Sequence, residues 1–258
     1  MRHCLRFLVW AWLALWSLPS VYSQSVVINE VMYHPLQPAL GAEPLGEEFI
    51  ELYNISPTNV NLAGWHFNKG VNFTLPNINL ASGGYLVVSA NTNVFRTRYP
   101  GVNNVVGNWA GTLANNGETI ELKNAAGDVM DTVTYASEGD WAVRRRGLVD
   151  TGHRGWKWYA EADGLGKSME RRNPALMIDS GQNWAPSVQV GGTPGRVNAA
   201  TTNDVAPLIL NCAHVPVVPH STDPITITAR IVDENVPSVA VTLFWRVDGS
   251  AQFTTAQM

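Results

Sequence analysis

The sequence predicts an all-β protein: a β-sandwich with a second, shorter β unit behind it. Apolar and polar residues alternate at period two in short runs, and no long stretch keeps a helical period. Gly, Asn, Pro and Thr break the chain at turn spacing, and aromatic residues sit within the runs to fill a core.

Residues 25–32 (SVVINEVM) form the first expected strand, closed by Tyr33-His34-Pro35. Residues 47–67 read as a central hairpin. One strand covers 49–53, a turn of Asn, Ser, Pro and Thr follows, and Gly64-Trp65 leads into a second strand. Phe49, Ile50, Leu52, Tyr53, Leu62 and Trp65 are its expected core residues. Residues 71–75 and 77–80 are short extended pieces, and Gly83-Gly84 turns the chain into a strand at 85–89. Phe95 and Tyr99 are spaced for one face of a single helical turn within 94–100. Asn115-Asn116-Gly117 opens a hairpin of 119–123 and 129–135 with one wet face. Residues 138–180 look irregular and are rich in Trp, Arg and Gly.

GGTPG at 191–195 closes a first domain of residues 24–197, and 198–204 reads as a linker. In residues 205–258, Ile225, Ile227, Ala229 and Ile231 alternate with polar partners. Val239, Val241, Leu243, Trp245 and Val247 do the same, which marks sandwich strands. A stretch this short falls below the roughly 100 residues of an Ig-type sandwich, so it reads as a partial Ig-like β domain at the front of something longer.

Residues 1–23 carry Arg2, His3 and Arg6, then the uncharged run FLVWAWLALWSL, then small residues at Ser20 and Ser23. This is the pattern of a secretory signal peptide, and retention as an anchor is the alternative. The run is shorter than the roughly 20 residues of a membrane span, and no later stretch spans either. Without residues 1–23, 15 Lys and Arg face 21 Asp and Glu, a net charge of −6. That balance argues against specific nucleic-acid binding. Cys4 leaves with the leader, so Cys212 has no disulfide partner and reads as a small buried hydrophobe.

Several segments resemble the lamin tail domain in its secreted bacterial form. They are VVINEVMYHP (26–35), EEFIELYN (47–54), VNLAGWHF (60–67), GGYLVV (83–88) and NNGETIELKNAAGDVMDTVTY (115–135). GLGKSMER (164–171), QNW (182–184) and GGTPG (191–195) continue the likeness in the same order. The resemblance implies an Ig-like β-sandwich that binds or scaffolds, with no catalytic residues to carry over. The second unit resembles the Ig-like segment that often follows this domain in large secreted bacterial proteins.

Gly166-Lys167-Ser168 fails as a phosphate loop, because the required first glycine is Glu161. The histidines are scattered, and no Gly-x-Ser-x-Gly elbow occurs. Glu30 and Glu51 come from two strands that could pair, with Glu47 and Glu48 nearby. As oxygen ligands Glu30 and Glu51 are the candidates for a weak Ca2+ site, with no other cofactor expected. Otherwise the two cap backbone groups or pair with a basic side chain, while Glu47 and Glu48 face water.

Residues 141–172 hold 8 of the 15 Lys and Arg left after the leader, interleaved with aromatics. Arg144, Arg145, Arg146, Arg154, Trp156, Trp158 and Tyr159 are the candidate ligand-binding residues, because indoles stack on rings while guanidinium groups pair with anions. In the competing reading Trp141, Trp156 and Trp158 close one edge of the sandwich, and the arginines pair with Asp140, Asp150, Glu161 and Asp163. The seven Trp that remain are expected to be largely buried.

The expected function is therefore a non-catalytic extracellular binding or scaffold module, an adhesion or anchoring part of a larger cell-envelope protein. Its expected partner is an extracellular protein, a glycan or a polyanion. The alternative is the accessory N-terminal region of a secreted enzyme, kinase-like (CotH-like) or hydrolase, with its catalytic part beyond Met258.

Overall fold

The computed structural model describes residues 25–150, 153–176, 178–220, 222–235, 239–247 and 250–258. The expected leader at 1–23 lies outside them. In chain order the strands begin with β1 (Val26–Met32), β2 (Phe49–Asn54), β3 (Val60–Asn61), β4 (His66–Lys69), β5 (Phe73–Thr74), β6 (Asn79–Leu80) and β7 (Tyr85–Ser89). Helix α1 (Thr92–Arg98) precedes β8 (Val105–Gly107), β9 (Gly117–Lys123), β10 (Val129–Ala136), β11 (Val143–Asp150), β12 (His153–Tyr159), β13 (Met169–Arg171) and β14 (Trp184–Pro186). The second unit holds β15 (Leu208–Val215), β16 (Thr226–Val232), β17 (Thr242–Trp245) and β18 (Thr254–Gln257).

Two sheets make the sandwich. The larger runs β14-β13-β1-β2-β7-β8 and the smaller β10-β9-β4-β5. Val26, Ile28, Ile50, Leu52 and Val88 from the first meet Phe67, Ile120, Leu122 and Val133 from the second, all almost fully buried. The other face of the large sheet is also apolar in part, so it needs a cover. Helix α1 supplies it: Phe95 packs edge-on against Phe49 at 5.7 Å, in a cluster with Met32, Val87 and Val105. The Asn91 side chain accepts from Asn93 N and Val94 N and so starts the helix, as expected of an N-cap. The helix links β7 to β8, which pair in parallel, the arrangement that requires a crossover.

Residues 47–67 are not a hairpin. Strand β2 pairs with β1 and β7 in the large sheet, whereas β4 pairs with β5 and β9 in the small one. The intervening segment crosses between layers and buries Leu62 and Trp65. A chain that switches sheets and one that folds back both bury alternate residues, so periodicity cannot separate them. Residues 119–135 do form the expected hairpin, β9–β10.

Arg171 is the main tie between the layers. Alternation on β13 turns Glu170 to the outer face and sends Met169 and Arg171 between the sheets. There Arg171, 1% exposed, donates from Nη2 to Asp131 Oδ2 on β10 at 2.6 Å and lies over Trp184 at 5.1 Å. The same carboxylate oxygen accepts from Ile28 N at 2.8 Å, so one ion pair joins β13, β10 and β1.

The second unit consists of two antiparallel ladders, β15–β16 and β17–β18. It meets the first unit through Gln182, which bonds both the N–H and the carbonyl of Ile209 at 2.9 Å. Glu234 adds a bond from Asn173 at 2.6 Å. Cys212 is exposed, contrary to expectation, and so are Phe244 and Trp245. With two ladders and no facing layer among the described residues, the apolar side of each strand stays in water. Replacing Arg171 with Ala leaves the Asp131 carboxylate buried without its cation. The expected loss is about 3–5 kcal/mol in urea unfolding, partly recovered when Asp131 is also replaced by Ala.

Candidate functional site

The Trp/Arg-rich segment expected to be irregular is a regular two-stranded ribbon. Val, Tyr and Trp favour extended backbone, and β11 and β12 pair only with each other. Arg144 faces Trp158, Arg145 faces Lys157 and Arg146 faces Trp156. The register then shifts between Arg146 and Val149. Gly147 and Gly155 sit where the two backbones approach: a side chain at 147 would meet the Gly155 carbonyl at 3.4 Å.

Cross-strand partners share a face. One face therefore carries Arg144, Arg146, Trp156 and Trp158, and the other carries Val143, Arg145, Lys157 and Tyr159. The guanidinium of Arg146 lies 5.0 Å from the Trp156 ring centre and that of Arg144 lies 5.3 Å from Trp158. Arg145 stacks on Tyr159 at 3.5 Å. Each such contact at an exposed site is worth about 0.5–1 kcal/mol, enough to hold the rings flat without hiding them.

The competing reading, in which the indoles seal the sandwich, holds for one residue of three. Trp141 is half-buried and packs on Trp184 at 5.8 Å, but Trp156 and Trp158 are 55% and 43% exposed. Trp65, Trp109 and Trp184 are buried, so the expectation of seven largely buried indoles fails at Trp156, Trp158 and Trp245. Nor do the expected acids take up the arginines: Glu161 pairs with Lys167, Asp163 with His34 and Asp140 with Gln182. The side chains of Asp150 and Arg154 lie outside the described residues, although Arg154 itself pairs with Val149 across the ribbon. At the base, Trp141, Val143, Tyr159, Met169 and Trp184 line a groove of about 180 Å³.

The second candidate group is assembled by strand register. Glu30 faces Glu51 across β1–β2 and Glu170 across β1–β13, so three carboxyl groups form one row on the outer face. All three are fully buried, beneath the segment 192–200. Thr193 N and Ser168 Oγ donate to Glu30 Oε1 at 2.8 and 2.5 Å, and Gly195 N donates to Glu51 Oε2 at 2.5 Å. Thr193 Oγ1 and Ala200 N donate to Glu170, each at 2.8 Å. Asn198 completes the clasp, donating to the carbonyls of Asn29 and Arg171 at 2.9 Å.

Register thus brings Glu30 and Glu51 together, and Glu170 was the member that sequence reasoning missed. Its signal was the MER segment pairing with β1, which cannot be read from spacing. Among the described residues no group of three or more His, Cys, Asp or Glu side chains is arranged to hold a metal ion.

Burial raises the Glu30 and Glu51 carboxyls above their ordinary range, and mutual repulsion along the row adds to this. Glu48, expected to face water, is fully buried. Its carboxyl is pushed up to about 8, first by burial and then by the charges of Glu43 and Glu118. One oxygen accepts from Leu113 N at 3.1 Å, while the other has no donor among the described residues.

A rigid sandwich that presents a solvent-exposed aromatic ribbon belongs to the class of Ig-like β-sandwich binding modules. Residues 20–137 match the family model described as Lamin Tail Domain, a non-catalytic Ig-like family. The ribbon, β13, β14 and the segment over the glutamate row all lie beyond the matched stretch. No curated protein matches the chain.

Two measurements check this geometry. Glu48 keeps its proton to higher pH when folded than in the unfolded chain, where its ordinary value is 4.5. Its contribution to stability is therefore complete below about 4.5 and is lost as the pH rises through about 8. The melting temperature should fall across that window, less steeply in Glu48→Gln, which has no proton to lose. Gly192 has φ +73°, and a Cβ there would sit 2.0 Å from Glu30 Oε1. Gly192→Ala should lose about 1–3 kcal/mol in denaturant unfolding.

Proposed function

We propose that this protein is an extracellular binding or scaffold module that serves in adhesion or anchoring at the cell envelope. Its working element in this reading is the β11–β12 ribbon, and the sandwich is the mount. The observation that supports this most is the exposure of Trp156 and Trp158 between arginines free of the acids expected to neutralise them. Large aromatic side chains left in water beside cations are costly to maintain unless a partner covers them.

Charge supports an anionic partner. Residues 143–159 contain four Arg and one Lys against the single Asp150, while the chain as a whole has a net charge of −4. The ribbon is a basic element on an acidic body, so long-range attraction would orient an anion toward it.

Replacing Arg144, Arg145 and Arg146 with Ser should weaken retention on a heparin column and shift elution to lower salt. The melting temperature should stay unchanged, because all three side chains are exposed. Unchanged retention would remove the ribbon from the binding surface.

A further inference from the structure

The ribbon is graded along its length. At the far end Leu148 is 87% exposed and Val149 57%, two consecutive apolar residues in the stretch where the register shifts. Next come Arg146 and Trp156 as one rung, then Arg144 and Trp158 as the rung nearest the sandwich. From Arg154, which pairs with Val149, to Trp156 is two residues, about 7 Å at the rise of an extended strand. That span matches the roughly 5–10 Å to which interfacial segments sink their apolar part below the headgroups.

Resting on the reading of the ribbon as the binding element, we propose that its partner is the surface of an anionic lipid bilayer. Leu148 and Val149 enter the acyl boundary. The two indoles lie at headgroup level, where an apolar ring with a polar edge is best placed. Arg144, Arg145, Arg146 and Lys157 meet lipid phosphates.

Two features favour a bilayer over a soluble polyanion. A polysaccharide can pair with the arginines and stack on the indoles, but it offers no apolar phase for Leu148. The cations also occupy both faces, Arg144 and Arg146 on one and Arg145 and Lys157 on the other. A partner docking on one side would leave half of them in water, whereas a headgroup layer surrounds an inserted ribbon. Among the described residues no helix is long and apolar enough to cross a membrane, so this attachment is peripheral.

The test uses the full chain in flotation with phosphatidylcholine vesicles, with and without about 30 mol% phosphatidylglycerol. The expected result is binding to the anionic vesicles at least about tenfold tighter than to the neutral ones, with a blue shift of tryptophan emission. Leu148→Asp should lower that binding by about tenfold or more while leaving heparin retention unchanged. Val149→Asp serves as the second variant, and the melting temperature of each is compared with that of the parent.

Anionic vesicles bound equally well by both Asp variants would overturn the insertion, since adsorption would then be electrostatic alone. Heparin retention without vesicle binding would also overturn it, and would leave the polyanion-binding ribbon standing. Loss of both would remove the two readings together.

Discussion

Three glutamates brought side by side by strand register place a demand on everything around them. Fully buried carboxyl groups persist only if donors reach their oxygens or if they keep their protons, and the row Glu170-Glu30-Glu51 does both. The donors cannot come from the sheet, whose backbone groups are already paired. They come from Ser168 before β13 and from the segment that leaves the first domain, through Thr193, Gly195 and Ala200. That segment is therefore part of the sandwich as much as any strand. Its glycines are set by contact: at 192 any side chain would collide with Glu30. Where the chain departs toward β15 is fixed by the need to cover the row.

Much of this architecture was legible in the sequence. The strands around Ile28, Ile50, Val87 and Ile120 announce themselves by β-branched residues at period two, and Phe95 and Tyr99 by helical spacing. What stayed hidden depends on partners distant in sequence. Glu48 looks like a surface acid beside Glu47, yet it is buried against Leu113, 65 residues on. Glu170 lies 140 positions from Glu30 and joins it only because β13 adds to the edge of β1. Leu62 and Trp65 were rightly read as core, but the pattern that predicted them fits a layer crossing as well as a turn.

The ribbon shows the opposite failure. Its composition marked it as a place of binding, yet its Gly and Arg content concealed a regular ladder. The expectation that indoles are buried holds for Trp65, Trp109 and Trp184, which have two layers to lie between. Trp156 and Trp158 have only a paired strand beside them, and one ladder cannot enclose a ring. Their flat posture comes from the guanidinium groups across the strand.

A lone pair of strands also has two outer edges whose backbone groups have no strand to bond. Such edges invite another chain to add itself, and proteins commonly blunt them with charge and with breaks in register. Both devices are present in β11–β12: the shift after Arg146 interrupts the edge, and Arg145 and Lys157 stand opposite one another. Two molecules that met edge to edge would bring their cations together before a hydrogen bond could form. The charge that equips the ribbon for an anionic partner thus also keeps each copy of the protein from pairing with the next.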